Sequence, residues 1–83
     1  MTIEQTFAIA HKEAVGLLES VNYATRALDY RAQELSRQVA AALRSGNTDD
    51  ARELVQHQIE ITGHKMNLQS VANVIGQAVE VLK

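Results

Sequence analysis

Ser45-Gly46-Asn47-Thr48-Asp49-Asp50 is the one cluster of helix-breaking residues in the chain, and reading it decides the fold. Gly46 has no Cβ and is placed to take the left-handed conformation that ends a helix. Thr48 or Asp50 is placed to cap a following helix, with Asp49, Asp50 and Glu53 favourable at its positive end. Asp50 and Glu53 also have the spacing of a capping box. The expected turn residues are Gly46, Asn47, Thr48 and Asp49. The chain contains no proline, so nothing forbids a long helix on either side.

Outward from this cluster both flanks are periodic. Upstream, Ile3, Phe7, Ala10, Ala14, Leu17, Val21, Ala24, Leu28, Arg31, Leu35, Gln38 and Ala42 recur by three and four, and Leu18, Ala32 and Val39 flank that stripe. Downstream, Leu54, His57, Ile61, His64, Leu68, Val71, Ile75, Ala78 and Leu82 keep the same rhythm. The pattern predicts an all-α fold: one helical-hairpin domain over 1–83, with a helix at about 3–45, a turn at 45–50 and an antiparallel helix at about 50–82. Gly16, Gly63 and Gly76 interrupt the periodic segments and are read as points of close packing or a soft bend.

Composition narrows the function classes. The 83 residues are 46% hydrophobic but only 4% aromatic, so the core is aliphatic and small, and a lone hairpin of it is marginal. Eight Lys and Arg against ten Asp and Glu give a net charge of -2, which argues against nucleic acid or an anionic membrane as main partner. Without cysteine there is no disulfide framework and no thiolate chemistry. The chain has no apolar run of transmembrane length and no basic start followed by an apolar centre, so a cleavable signal peptide is not expected.

Apolar residues are left over after one stripe per helix is used. Val55, Ile59, Met66 and Val74 lie off the stripe of the second helix, and Val15 and Leu43 lie off that of the first. A second apolar row predicts further helices from other copies of the chain, so self-assembly is expected. The expected assembly residues are Val55, Ile59, Met66, Val71, Ile75, Val79 and Leu82.

Glu53, His57, Glu60 and His64 share a face at spacings of four, three and four. Two imidazoles and two carboxylates are metal-ligand types. A helical di-iron site needs Glu and His three apart in that order, which this run does not have. His57 and His64 also lie about 10.5 Å apart along a helix, too far to share one ion directly. No metal or other cofactor is therefore expected, and the four are read as a polar stretch of interface, with His57 level with Gln38 and His64 level with Arg31. Catalysis is not expected either: no serine has a histidine-acid partnership at useful spacing, and no phosphate-cradling glycine loop exists.

From the turn onward the chain resembles the needle subunits of bacterial type III secretion systems, short helical hairpins that polymerise into a hollow filament. That family usually has a Pro-x-x-Pro turn; here Gly46-Asn47-Thr48-Asp49 stands in its place, without the prolines. The family's Gln followed by an aliphatic residue three further on is matched by Gln56 and Ile59. Its Asn, apolar or small residue, amide and Ser is matched by Asn67-Leu68-Gln69-Ser70. Val71 to Lys83 matches the closing aliphatic helix, which is also similar to those of inner-rod and flagellar axial proteins.

The resemblance implies a secreted or cell-surface bacterial protein made in the cytoplasm, with itself, a secretion-apparatus base, a tip protein and cytoplasmic chaperones as partners. It implies a second helix that lines the lumen, with Gln56, Asn67, Gln69, Gln77 and Lys83 as the polar candidates by position. Uncharged amides there would hydrate a passing unfolded chain without fixing it. Two other readings stand beside this one: a small homodimeric four-helix bundle acting as a cytoplasmic adaptor, regulator or export co-chaperone, and a metal-binding helical assembly.

Overall fold

The computed structural model describes residues 2–83, so Met1 of the expected domain lies outside the described residues. Two helices, α1 (Ile3–Arg44) and α2 (Thr48–Leu82), form an antiparallel hairpin whose Cα extents are 66 × 15 × 14 Å. Neither helix is long and apolar enough to cross a membrane.

The turn is tighter than its breaker cluster predicts. Gly46 has φ +74°, as expected of the residue that ends a helix. The Asn47 N–H donates to the Ala42 carbonyl at 2.8 Å and the Gly46 N–H to the Leu43 carbonyl at 3.1 Å, the paired bonds of a Schellman motif. This closure delivers the chain straight into the next helix. Thr48 and Asp49 are therefore already helical, and the cap is Asn47 rather than Thr48 or Asp50. Asn47 Oδ1 accepts from the Asp50 N–H at 3.3 Å, and Asn47 Nδ2 donates to Asp50 Oδ2 at 2.6 Å. The capping box expected at Asp50 and Glu53 does not form. One forms instead at the start of α1, where Thr2 Oγ1 accepts from the Gln5 N–H and Gln5 Oε1 accepts from the Thr2 N–H.

The seam between the helices is a 3–4 repeat, as the periodicity predicts, but it runs through a neighbouring row. In α1, Ala14, Leu18, Val21, Thr25, Leu28, Ala32, Leu35, Val39 and Ala42 are all buried or half-buried. The expected seam residues Leu17, Arg31 and Gln38 are exposed. In α2 the seam is Ala51, Leu54, Gln58, Ile61, Lys65, Leu68, Ala72, Ile75, Val79 and Leu82, so His57, His64, Val71 and Ala78 each give way to the next residue.

Burying polar side chains explains the choice. Gln58 and Lys65 have stems long enough to lie along the seam while their heads reach its rim. Gln58 Nε2 donates to Ser36 Oγ at 2.6 Å and to the Ala32 carbonyl at 3.3 Å, and Lys65 Nζ pairs with Asp29 Oδ1. Imidazoles at 57 and 64 would sit there with shorter reach, and a buried polar group without a partner is costly. Moving the seam over in α1 also releases Arg31 and Gln38 to water and brings in Leu18, Ala32 and Val39.

The hairpin is thinly cored. Only Val21, Leu35 and Ala51 are buried among the described residues, and of these Leu35 alone is completely enclosed. An added Cβ at Gly16, Gly63 or Gly76 would meet nothing within 4 Å, so the close packing expected at these glycines is not found inside the hairpin. At the open end, α1 outruns α2: Ile3, Phe7 and Ile9 are 74%, 53% and 47% exposed.

Candidate interaction surface

An antiparallel helix pair is a ribbon with two broad faces, one on each side of the seam. On one face lie Val55, Ile59, Thr62 and Met66, at spacings of four, three and four along α2. Val55, Gln58, Ile59 and Thr62 with Ala32 of α1 line an open groove there. Leu43 joins this face near the turn; toward the open end α2 continues it as Gln69, Asn73 and Glu80, while α1 contributes the half-buried Val15. The opposite face runs Glu53, His57, Glu60, His64 and Asn67 in its turn half, where Asp50, Glu53, Leu54 and His57 line a second open groove. It then becomes apolar through Val71, Val74, Ala78 and Val81, beside Leu17 of α1.

The expected assembly residues divide accordingly. Val55, Ile59, Met66 and Val71 are exposed, at 40%, 60%, 62% and 45%. Ile75, Val79 and Leu82 lie on the hairpin's own seam against α1, so within one copy their apolar surface is already partly used. Val74 and Val81, 66% and 82% exposed, take their place on the outer surface. Sequence periodicity missed Val81, although its spacing from Val74 and Ala78 was available to show it.

The five polar candidates, Gln56, Asn67, Gln69, Gln77 and Lys83, are all exposed but do not share one row. Gln56 and Gln77 lie on the ridge of α2 farthest from α1, with Gly63 and Ser70 between them. Asn67 lies to one side of that ridge, and Gln69 and Lys83 to the other. Lys83 Nζ donates to Glu80 Oε1 at 3.0 Å. Glu53, His57, Glu60 and His64 are exposed along one face, and among the described residues no three His, Asp or Glu side chains converge as metal ligands do.

Charge separates the two helices. From Met66 to Val79 α2 carries no Asp, Glu, Lys or Arg, about 21 Å of helix whose outward side chains are aliphatic, thioether, amide or hydroxyl. The outer surface of α1 carries charge along its length, from Glu4, Lys12, Glu13, Glu19, Arg26, Arg31, Arg37 and Arg44, but between these Ile9, Leu17, Tyr23 and Tyr30 are exposed as well. The total surface is also large. The hairpin exposes 6208 Å², whereas a compact monomer of its 9.1 kDa exposes about 4,900 Å².

Comparison with protein-family models, with curated proteins and with solved structures gives no significant match.

Proposed function

We propose that the chain is a structural subunit that polymerises into a hollow, needle-like filament for protein secretion of the type III kind. The observation that carries this reading is the uncharged outer surface of α2 from Met66 to Val79, set against an outer surface of α1 on which charged side chains alternate with the exposed Tyr23 and Tyr30. A subunit in a tube wall needs one side that other copies can cover without stranding charge, and one that stays in water. Val71 and Val74 supply apolar area, while Asn67, Ser70, Asn73 and Gln77 supply donors and acceptors without fixed charge. In a tube with α2 inward, the ridge of Gln56, Ser70 and Gln77 would face the channel. The resemblance of Gln56, Ile59 and Asn67-Leu68-Gln69-Ser70 to needle subunits supports the same reading.

A closed homodimeric four-helix bundle is the second reading. It is favoured by the open groove lined by Ala32, Val55, Gln58, Ile59 and Thr62, a largely apolar depression on one broad face that a second hairpin could cover. Negative-stain microscopy across a concentration series, with sedimentation velocity beside it, separates the two. Filament formation predicts long thin tubes above a threshold concentration. A single dimer boundary that is unchanged by concentration or seeding overturns it.

A further inference from the structure

Two apolar patches along α2 sit on opposite broad faces and in opposite halves of its length, beside further exposed apolar side chains on α1 such as Phe7, Tyr23 and Tyr30. We propose that the two α2 patches are the two sides of one heterologous contact, in which the Ile59–Met66 patch of one copy receives the Val74–Val81 patch of a second, parallel copy. This inference rests on the self-assembly reading and adds to it the faces, the polarity and the axial offset.

Spacing supports the pairing. Ile59 and Met66 are seven residues apart, and so are Val74 and Val81. One shift of fifteen residues along α2 therefore brings Ile59 level with Val74 and Met66 level with Val81 together. That shift is about 22 Å of helix axis. Size supports it as well: the turn-half patch projects long side chains, Ile59 and Met66, while the open-end patch is low, with Ala78 between its valines. Ridges of large residues pack best over small ones.

The polar halves choose the offset. With no shift, Ile59 and Met66 of one copy would cover Glu60 and His64 of the other, taking a carboxylate out of water without a partner. With the shift, the run from Glu53 to His64 projects past the neighbour's contact and stays hydrated. The neighbour itself commits to a second copy on area. The whole hairpin exposes roughly 1,300 Å² more than a compact monomer of its mass, which leaves room for the ~800 Å² that each partner contributes to an ordinary stable interface. An isologous contact through Ile59 and Met66 alone would pair large residues with large and leave Leu17, Val74 and Val81 in water. The heterologous contact covers both patches with one geometry, and since each copy carries one of each, the assembly is open-ended.

The absence of native cysteine makes the test direct. Ile59→Cys and Val74→Cys variants, one carrying a mass tag, are mixed under assembling conditions, mildly oxidised and run on a non-reducing gel. Met66→Cys with Val81→Cys is the second pair, and circular dichroism confirms that each variant is helical. The expected result is mixed dimers far above their statistical share for both pairs, and multimer ladders from the double variant Ile59→Cys/Val74→Cys. Homodimers of Ile59→Cys in excess, or crosslinking of Ile59→Cys to Val81→Cys in preference to Val74→Cys, would overturn the parallel heterologous contact. Wild-type sedimentation in the same buffers keeps the failures apart. A chain that assembles but crosslinks otherwise refutes this contact alone, and one that stays monomeric refutes self-assembly with it.

Discussion

Lys65 Nζ stands 2.5 Å from Asp29 Oδ1, across the very seam on which Lys65 lies. Seven residues back along α2 and seven on along α1, Gln58 bonds Ser36 in the same register. These two links are the polar bridges between the helices among the described residues. They set the register of a seam that is otherwise aliphatic apart from Thr25 and, near the open end, His11.

The ion pair should matter less than the lysine stem. Its side chains are 35% and 45% exposed, so Asp29→Ala should lower hairpin stability by under about 1 kcal/mol. Lys65→Ala should cost clearly more, because it strips methylenes from the seam at about 0.8 kcal/mol for each one fully buried. Lys65→Met keeps the stem and should recover most of the loss in thermal melts. Equal damage from the Met and Ala variants would show that the charge, not the stem, holds the helices in place.

Among the described residues Gly46 is the one with a left-handed backbone, at φ +74°, and open space surrounds its missing Cβ. The cost of a side chain there is thus conformational rather than steric against neighbours. Gly46→Ala should destabilise the hairpin by about 1–2 kcal/mol, and Gly46→Asn by less, since Asn visits this region more readily. Melting temperatures that rank Asn below Ala would contradict this account of the turn.

The hairpin was legible because its signals are local. One glycine among polar residues ends a helix, and a 3–4 rhythm on both sides gives each helix a sticky stripe. Which of two adjacent rows forms the seam was not legible, because His57 and Gln58, or His64 and Lys65, are equally polar as letters. The difference lies in reach toward Ser36 and Asp29, and those partners are known only once the helices are paired. The same slip separated Val79 and Leu82, which face α1, from Val74 and Val81, which face out. No periodicity in one chain records which faces a second copy would cover.

His11 continues the α1 seam toward the open end, where its Nε2 is buried without a hydrogen-bond partner. An unsatisfied buried polar atom costs about 1–3 kcal/mol, while a leucine of similar bulk would add apolar burial. His11→Leu should therefore raise the melting temperature of the hairpin measured by circular dichroism at pH 7. A lower melting temperature would mean that the imidazole has a partner in solution that the folded chain alone does not supply.

Shortening the chain and changing its outer face should have different effects. Val79 and Leu82 are half-buried against α1, so deleting Val79 to Lys83 removes hairpin contacts as well as assembly surface. The truncation should lower both the melting temperature and the yield of pelleted assemblies. Val74→Glu changes only the outside, since Val74 is 66% exposed and lies off the seam. Its far-UV circular dichroism and melting temperature as a dilute monomer should match wild type. In an assembly it would remove apolar burial worth about 1.5–3 kcal/mol and place a carboxylate in the contact. Since about 1.4 kcal/mol is tenfold in affinity, the threshold concentration for pelleting should rise at least tenfold. If Val74→Glu pellets at the wild-type threshold, the uncharged outer surface of α2 is not covered by other copies, and the reading built on it fails.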